Sequence, residues 1–133
     1  MPREYPRAAR LSAQLQEELS DLLHGNVLRD PRVYGVDFTV TAIDLSPDLS
    51  HAHVRVSSLV ETARLDEAVQ GLNHASGRLR GELGRRLRLR HIPELSFKAD
   101  LALREAEKIN RLLRNARDED RKHALERGEE EAK

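Results

Sequence analysis

Hydrophobic residues recur along the chain at two spacings, which separate predicted helices from predicted strands. A step of three or four residues places side chains on one face of an α-helix, whereas alternation is typical of a half-buried β-strand. The first helical segment begins at Pro6, because a first turn does not need the missing N–H, and it ends at Gly25. Its apolar stripe consists of Leu11, Leu15, Leu19, Leu22 and Leu23.

Three short segments alternate as strands do. Residues 36–40 alternate cleanly, and the pattern continues irregularly to Leu45. Residues 46–48 form the turn signal Ser-Pro-Asp and residues 52–56 alternate again, so these two segments predict an antiparallel hairpin. A third strand is predicted at residues 95–99.

The segment between the second and third strands has helical spacing in two parts. Apolar residues at 65–72 form one stripe, the pattern breaks at Ala75-Ser76-Gly77, and leucines at every fourth position from 79 to 87 form another. Pro93 closes the second part because proline is rarely tolerated inside a helix. The pattern therefore predicts two helices that meet at a kink of small residues.

A last helical stripe precedes the end of the chain and consists of Leu103, Ala106, Ile109, Leu112 and Leu113. The order helix, strand, strand, helix, helix, strand predicts an α+β domain, with a three-stranded sheet, its helices on one face, and an appended C-terminal helix. We expect this domain to occupy residues 1–117. Residues 118–133 contain few apolar side chains, so we expect a mobile acidic tail.

The net charge of zero conceals an uneven distribution. Residues 1–117 carry 19 Lys and Arg against 16 Asp and Glu, whereas residues 118–133 carry 4 against 7. There is no cysteine, which excludes disulfides and thiolate metal sites. No apolar run approaches the length of a membrane span, so we expect a cytoplasmic protein without membrane association.

Arginine is concentrated on the predicted helix that follows the kink. Residues 78–90 contain six arginines and one acid, Glu82. Three of the arginines fall opposite the leucines and two lie beside them, so the helix presents guanidinium groups that match phosphate oxygens. A merely solvated face is the alternative, but such faces usually mix both signs of charge. The six are Arg78, Arg80, Arg85, Arg86, Arg88 and Arg90.

Other candidate sites are weak. His51 and His53 share one side of a strand but lack a third ligand nearby, so we predict no metal site and no other cofactor. No nucleophile has an evident base partner, which argues against an enzyme. Gly81 and Gly84 fit a Gly-x-x-Gly pattern formally, but Leu83 belongs to the apolar face and Glu82 would repel phosphate. Four aromatic residues are too few for base-stacking platforms, so recognition is expected to rest on phosphates and shape.

The ordered set of short motifs resembles ribosome-binding factor A, a family of bacterial small-subunit assembly factors. The similarity runs from the first helix to about Leu113 and covers most of the chain. The matching segments are Asp30-Pro31-Arg32, residues 46–52, Ala75-Ser76-Gly77, residues 87–97, and Asp100 with Ile109, Leu112 and Leu113. Ala102 and Ala106 depart from the family's frequent serine and glycine, so the role of the C-terminal segment is the least transferable.

The resemblance implies a type II KH-like fold in which the Ala75-Ser76-Gly77 kink replaces the Gly-x-x-Gly loop of ordinary KH domains. It also implies binding to 16S ribosomal RNA in free or immature 30S subunits, late maturation of that RNA's ends, and importance for growth in the cold. A ribosome-associated GTPase is the implied agent of release. We expect a non-enzymatic monomer.

We predict that the RNA contacts come from the kink and the arginines. The predicted RNA-binding residues are Ser76, Gly77, Arg78, Arg80, Arg85, Arg86, Arg88, Arg90, Arg7 and Arg10. Arg29 and Arg32 are expected to form ion pairs in a loop instead. A second hypothesis is an adaptor whose C-terminal helix, through Leu103, Ile109 and Leu113, fits the groove of a basic protein partner. A metal-dependent enzyme is a distant third.

Overall fold

The structure, a computed structural model, describes residues 6–25 and 27–132. The chain divides after Asp100 into two compact units, and the second contains the last helix. The elements are α1 (Pro6–His24), β1 (Thr39–Leu45), β2 (His51–Ser57), α2 (Thr62–His74), α3 (Ser76–Leu87), β3 (Glu94–Ala99) and α4 (Ala102–Ala132). The predicted order of elements is confirmed.

The three strands form one sheet in the order β1-β2-β3. β1 and β2 pair antiparallel, as the hairpin prediction requires, and β2 and β3 pair parallel with Val54 opposite Phe97. A parallel pair needs a crossover connection, and α2 and α3 together provide it. β1 and β3 therefore form the two edges of the sheet.

The core lies between one face of this sheet and the helices of the first unit. Ala52, Val54 and Val56 are fully buried, while the residues that alternate with them on β2 are exposed. Phe97 is buried in the same way on β3. The helices contribute their leucine stripes, of which Leu15, Leu19, Leu22, Leu65, Leu72, Leu79 and Leu83 are almost completely inaccessible. The α+β KH-like fold class is thus confirmed, with helices on one face of the sheet.

The first strand begins later than the alternation predicts. Residues 36–38 precede β1 as irregular chain, although Val36 and Phe38 are both buried. The register shifts between Val40 and Ala42, which marks a β-bulge at Thr41. An extra residue reverses which face later side chains occupy, so the bulge explains the irregular pattern toward Leu45.

The arginine-bearing helix is shorter than predicted, and the last helix is longer. α3 ends at Leu87, and Arg88 follows it with a φ of 52°, a left-handed conformation. Arg88 and Arg90 therefore lie in the connection to β3, since left-handed backbone ends a helix. α4 continues through residues 118–132, so the segment predicted as an acidic tail is helical, and its mobility stays a prediction. That segment is rich in Ala, Leu, Glu, Lys and Arg, which have high helix propensity.

Candidate nucleic-acid interface

The α2–α3 junction is the centre of the candidate interface. Ala75 lies between the helices with φ −92° and ψ 7°, and its N–H donates to the carbonyl oxygen of Gly71 at 3.0 Å. Ser76 starts α3 and is half-buried, whereas Gly77 is exposed. Among the described residues, nothing lies within 4 Å of the position that a Cβ on Gly77 would occupy. The junction consequently presents main chain to solvent.

The junction is fixed to the sheet by Asn73. Its Nδ2 donates to the carbonyl oxygen of Phe97 at 3.0 Å, and its Oδ1 accepts from the N–H of Phe97 at 2.7 Å. Phe97 belongs to β3, an edge strand. One side-chain amide therefore satisfies main-chain groups that an adjacent strand would otherwise satisfy, and it holds the end of α2 in place.

Three of the six arginines between residues 78 and 90 have partners within the chain. Arg80 Nε donates to the carbonyl oxygen of Ile92 at 2.8 Å, which ties α3 to the segment before β3. Arg85 lies 3.1 Å from the Glu82 carboxylate, one helical turn away. Arg86 Nη1 lies 3.2 Å from Glu18 Oε2 on α1. Only the Arg80 contact uses a main-chain acceptor, so its role is partly structural.

The remaining three, Arg78, Arg88 and Arg90, are exposed, and we call them the open arginines. Among the side chains that the structure describes, residues 7–25 and 27–128, no carboxylate lies at ion-pairing distance from any of them. Arg78 starts from the first turn of α3, and Arg88 and Arg90 follow its last turn. Their positive charge is therefore not compensated locally by the described part of the chain.

The arginines predicted on α1 lie on a separate element. Arg7 and Arg10 are exposed on the first two turns of that helix, and neither has a hydrogen bond or ion pair to another described residue. α1 is joined to the arginine-bearing helix through Glu18 and Arg86, farther along the helix. RNA contact by Arg7 and Arg10 stays a prediction.

The loop arginines differ from each other. Arg32 binds Asp30 through two side-chain hydrogen bonds, of 3.1 Å from Nε and 2.7 Å from Nη2. These bonds from Arg32 are the main reason that the pKa of Asp30 falls from 3.8 to about 2. The ion-pair role predicted for Arg32 is thus confirmed. Arg29 is exposed and has no such partner within the described ranges.

The last helix has the surface that the adaptor hypothesis requires. Leu103, Ile109, Leu112 and Leu113 are all at least half exposed.

No helix among the described residues has the length and hydropathy of a membrane span. In the same part of the chain, no three His, Asp or Glu side chains are grouped so as to hold a metal ion.

The chain is similar in sequence to known proteins over most of its length. The family model described as ribosome-binding factor A matches residues 7–113. The chain belongs to the ribosome-binding factor A family. A ribosome-binding factor A of Azoarcus sp. (strain BH72) is 42% identical over 120 residues, which cover 90% of this chain and 93% of that protein. One from Natranaerobius thermophilus is 44% identical over 108 residues, 81% of this chain and 80% of the relative.

Solved structures of the ribosome-binding factor A family share the fold. The crystal structure of the Thermus thermophilus protein is 36% identical, covers 68% of this chain and 92% of its own, and superposes with a TM-score of 0.58. A homology model of the Thermus protein, fitted into a cryo-electron-microscopy map of a 30S complex, covers 71% of this chain and 96% of its own with the same score. The 30S complex in that map was formed by the Thermus protein.

Some residues that shape the interface carry no sequence signal. Asn73 and Glu18 look like ordinary polar positions on amphipathic helices, and only the folded chain shows their partners. In the sequence, Gly71 is only a residue of low helix propensity within a predicted helix. In the structure its missing side chain allows α2 to lie against Val33, since a Cβ there would be 2.6 Å from Val33 Cγ2.

Proposed function

We propose that this chain binds 16S ribosomal RNA in free or immature 30S subunits, chiefly through the open arginines and the α2–α3 junction. The family resemblance supports the further proposal that it assists late maturation and processing of the 16S RNA ends, especially in the cold. On this proposal it acts as a cytoplasmic monomer without catalysis, and a ribosome-associated GTPase drives its release.

The observation that carries the proposal is the uncompensated charge of Arg78, Arg88 and Arg90. A guanidinium group that serves stability is normally paired, as Arg32 is with Asp30. The open arginines have no such partner in the described chain. Arg78 lies in the first turn of α3, and Arg88 and Arg90 lie just beyond its last turn. Guanidinium groups bind phosphate oxygens two at a time, so an RNA backbone is a fitting ligand.

The glycines of α3 support an approach by RNA from the same side. Gly77 and Gly81 are four residues apart and share one face of the helix. No described atom lies within 4 Å of a Cβ built at either position, so packing within the chain gives no reason for glycine there. A face without side chains lets a phosphate backbone come close to the helix, beside Arg78 and Arg85.

The experiment is sedimentation of the full chain with purified 30S subunits, as the parent and as the double variant Arg78→Glu/Arg88→Glu. A matched control, Lys98→Glu/Arg127→Glu, makes the same change in net charge at exposed positions on β3 and α4. We expect the arginine variant to co-sediment much more weakly than the parent and the control to bind as the parent does. Each phosphate contact contributes roughly 0.7–0.9 to the logarithmic salt slope, so the slope should fall by roughly 1.5. Equal binding of both variants would refute the site.

The same assay separates this proposal from the adaptor hypothesis. Ile109→Asp/Leu113→Asp places charge on the exposed apolar stripe of α4 and leaves the arginines intact. If RNA contact through the first unit is the main interaction, this variant should sediment with 30S subunits as the parent does. Loss of binding by this variant alone would favour the adaptor.

A further inference from the structure

A cavity of about 190 Å³ lies at the C-terminal end of α1, beneath the loop that precedes β1. Sites for drug-sized molecules measure roughly 300–1,000 Å³, so this cavity suits a smaller, single-ring or double-ring group. Its apolar lining comes from side chains that are themselves buried: Leu22, Leu28, Val33 and Val36.

The rim of the cavity adds an aromatic ring and polar groups. Tyr34 is 60% exposed there, whereas the other aromatic side chains among the described residues, Phe38 and Phe97, are buried. His24 Nε2 lies 3.2 Å from Asp37 Oδ1 on the same rim. A flat heterocycle with an amino group would meet the ring of Tyr34, a mixed polar and apolar lining, and the Asp37 carboxylate beside His24.

The loop that carries Tyr34 is held in position before any ligand arrives. The N–H groups of Val33 and Tyr34 both donate to the carbonyl oxygen of Asp30 at 2.9 Å. Arg64 of α2 donates to the carbonyl oxygens of Arg32 at 2.8 Å and of Tyr34 at 3.4 Å. A fixed loop loses little conformational entropy on binding, so even a small ligand gains affinity from it.

The cavity is linked to the arginine-bearing helix through α1. Leu22, which lines it, is four residues from Glu18 on the same face of α1, a separation of about 6 Å along the helix. Glu18 is the ion-pair partner of Arg86. α1 thus carries both the ion-pair partner of Arg86 and part of the cavity lining, so an RNA strand held on α3 must extend about one turn along α1 for one of its bases to enter.

We infer that this cavity accepts one unstacked nucleobase, stacked against Tyr34, from the RNA that the arginines of α3 hold. The inference rests on the proposed function and deepens it, because phosphate contacts alone position a protein without reading bases. Single-stranded segments, loops and ends are the parts of RNA that offer an unstacked base, so a mature, fully paired helix would not fill the cavity.

The test measures binding of the full chain to two labelled probes by fluorescence anisotropy. One is hexacytidylate, whose N4 amino groups can donate to a carboxylate. The other is an abasic hexamer with the same phosphates and no bases. We expect Tyr34→Ala to weaken hexacytidylate binding at least about fivefold, the lower end of base–aromatic stacking, and to leave abasic binding unchanged. Tyr34→Phe, which keeps the ring, should bind both probes as the parent does.

Two controls make the outcome decisive. Leu59→Ala removes a fully exposed apolar side chain from a different loop and should change neither affinity. Arg78→Glu/Arg88→Glu should weaken both probes. If Tyr34→Ala affects neither probe, or both equally, while the arginine variant weakens both, the cavity inference is overturned and the proposed function stands. If the arginine variant also binds both probes normally, the proposed function fails.

Discussion

Asn73 and Phe97 are joined by two hydrogen bonds between one side-chain amide and the main chain of an edge strand, of 3.0 and 2.7 Å. The pair connects the end of α2 to β3, and Ala75 follows two residues later. The position of the α2–α3 junction, and of the first open arginine after it, therefore depends on a contact made across the fold.

Asn73→Ala should lower the free energy of unfolding by about 1–3 kcal/mol. The substitution removes both bonds and leaves a part-buried N–H and C=O of Phe97 without their partner. Urea denaturation gives the value. Gln70→Ala, at an exposed position on the same helix, is the matched control and should change it by less than about 0.5 kcal/mol. A small effect at Asn73 would mean that water replaces the amide.

Two glycine-to-alanine substitutions should have opposite effects on stability. At Gly71 the added Cβ would lie 2.6 Å from Val33 Cγ2, and that valine is buried and stiff, so we expect a loss of about 1–3 kcal/mol. At Gly81 the added methyl meets no described atom, so the higher helix propensity of alanine should add about 1 kcal/mol. Thermal unfolding of both variants checks the signs. A stabilised Gly71→Ala would show that the α2 contact is looser than described.

The fold was largely predictable because the residues that begin and end helices lie where the hydrophobic spacing also begins and ends. Pro6 and Gly25 bracket α1, and the break at residues 75–77 separates α2 from α3. What periodicity misses depends on distant contacts. The bulge at Thr41 is invisible in an alternating pattern, and Arg88 occupies a backbone conformation that glycine usually takes.

The candidate site was predictable as a set of residues but not as an arrangement. Sequence spacing separates the arginines opposite the leucines from those beside them, but it does not show which of them have partners elsewhere in the chain. The folded chain distinguishes Arg80, which serves the carbonyl oxygen of Ile92, from Arg78, which has no described partner. The difference arises because the carbonyl oxygen of Ile92, in the connection before β3, lies within reach of α3 in the folded chain. The spacing of residues within one helix does not contain that information.

Acid should weaken the fold through two carboxylates. The side chain of Arg32 lowers the pKa of Asp30 to about 2, and hydrogen bonds from Ser50 and Ser46 lower the pKa of Asp48 to about 2. A lowered folded pKa stabilises the folded state fully above the ordinary value of 3.8, and that stabilisation is lost as the pH falls toward 2.

Urea midpoints measured from pH 6 to pH 2 test this, together with titration of the carboxyl carbons by NMR. We expect Asp30→Asn and Asp48→Asn each to be less stable than the parent at neutral pH and to lose less stability on acidification. Titration of Asp30 or Asp48 close to 3.8 would contradict the hydrogen bonding described for that residue.

Arg88→Gly should make the protein more stable and a poorer RNA binder at the same time. Arg88 has a φ of 52°, and a left-handed residue other than glycine costs of order 1 kcal/mol or more. Glycine removes that strain, so the midpoint of thermal unfolding should rise, while the loss of an open arginine should weaken binding to 30S subunits. Leu49→Gly is the matched control, because Leu49 has a φ of 62° in the β1–β2 turn and should change stability without changing 30S affinity. If Arg88→Gly binds as tightly as the parent, the strain at this position is not explained by RNA contact.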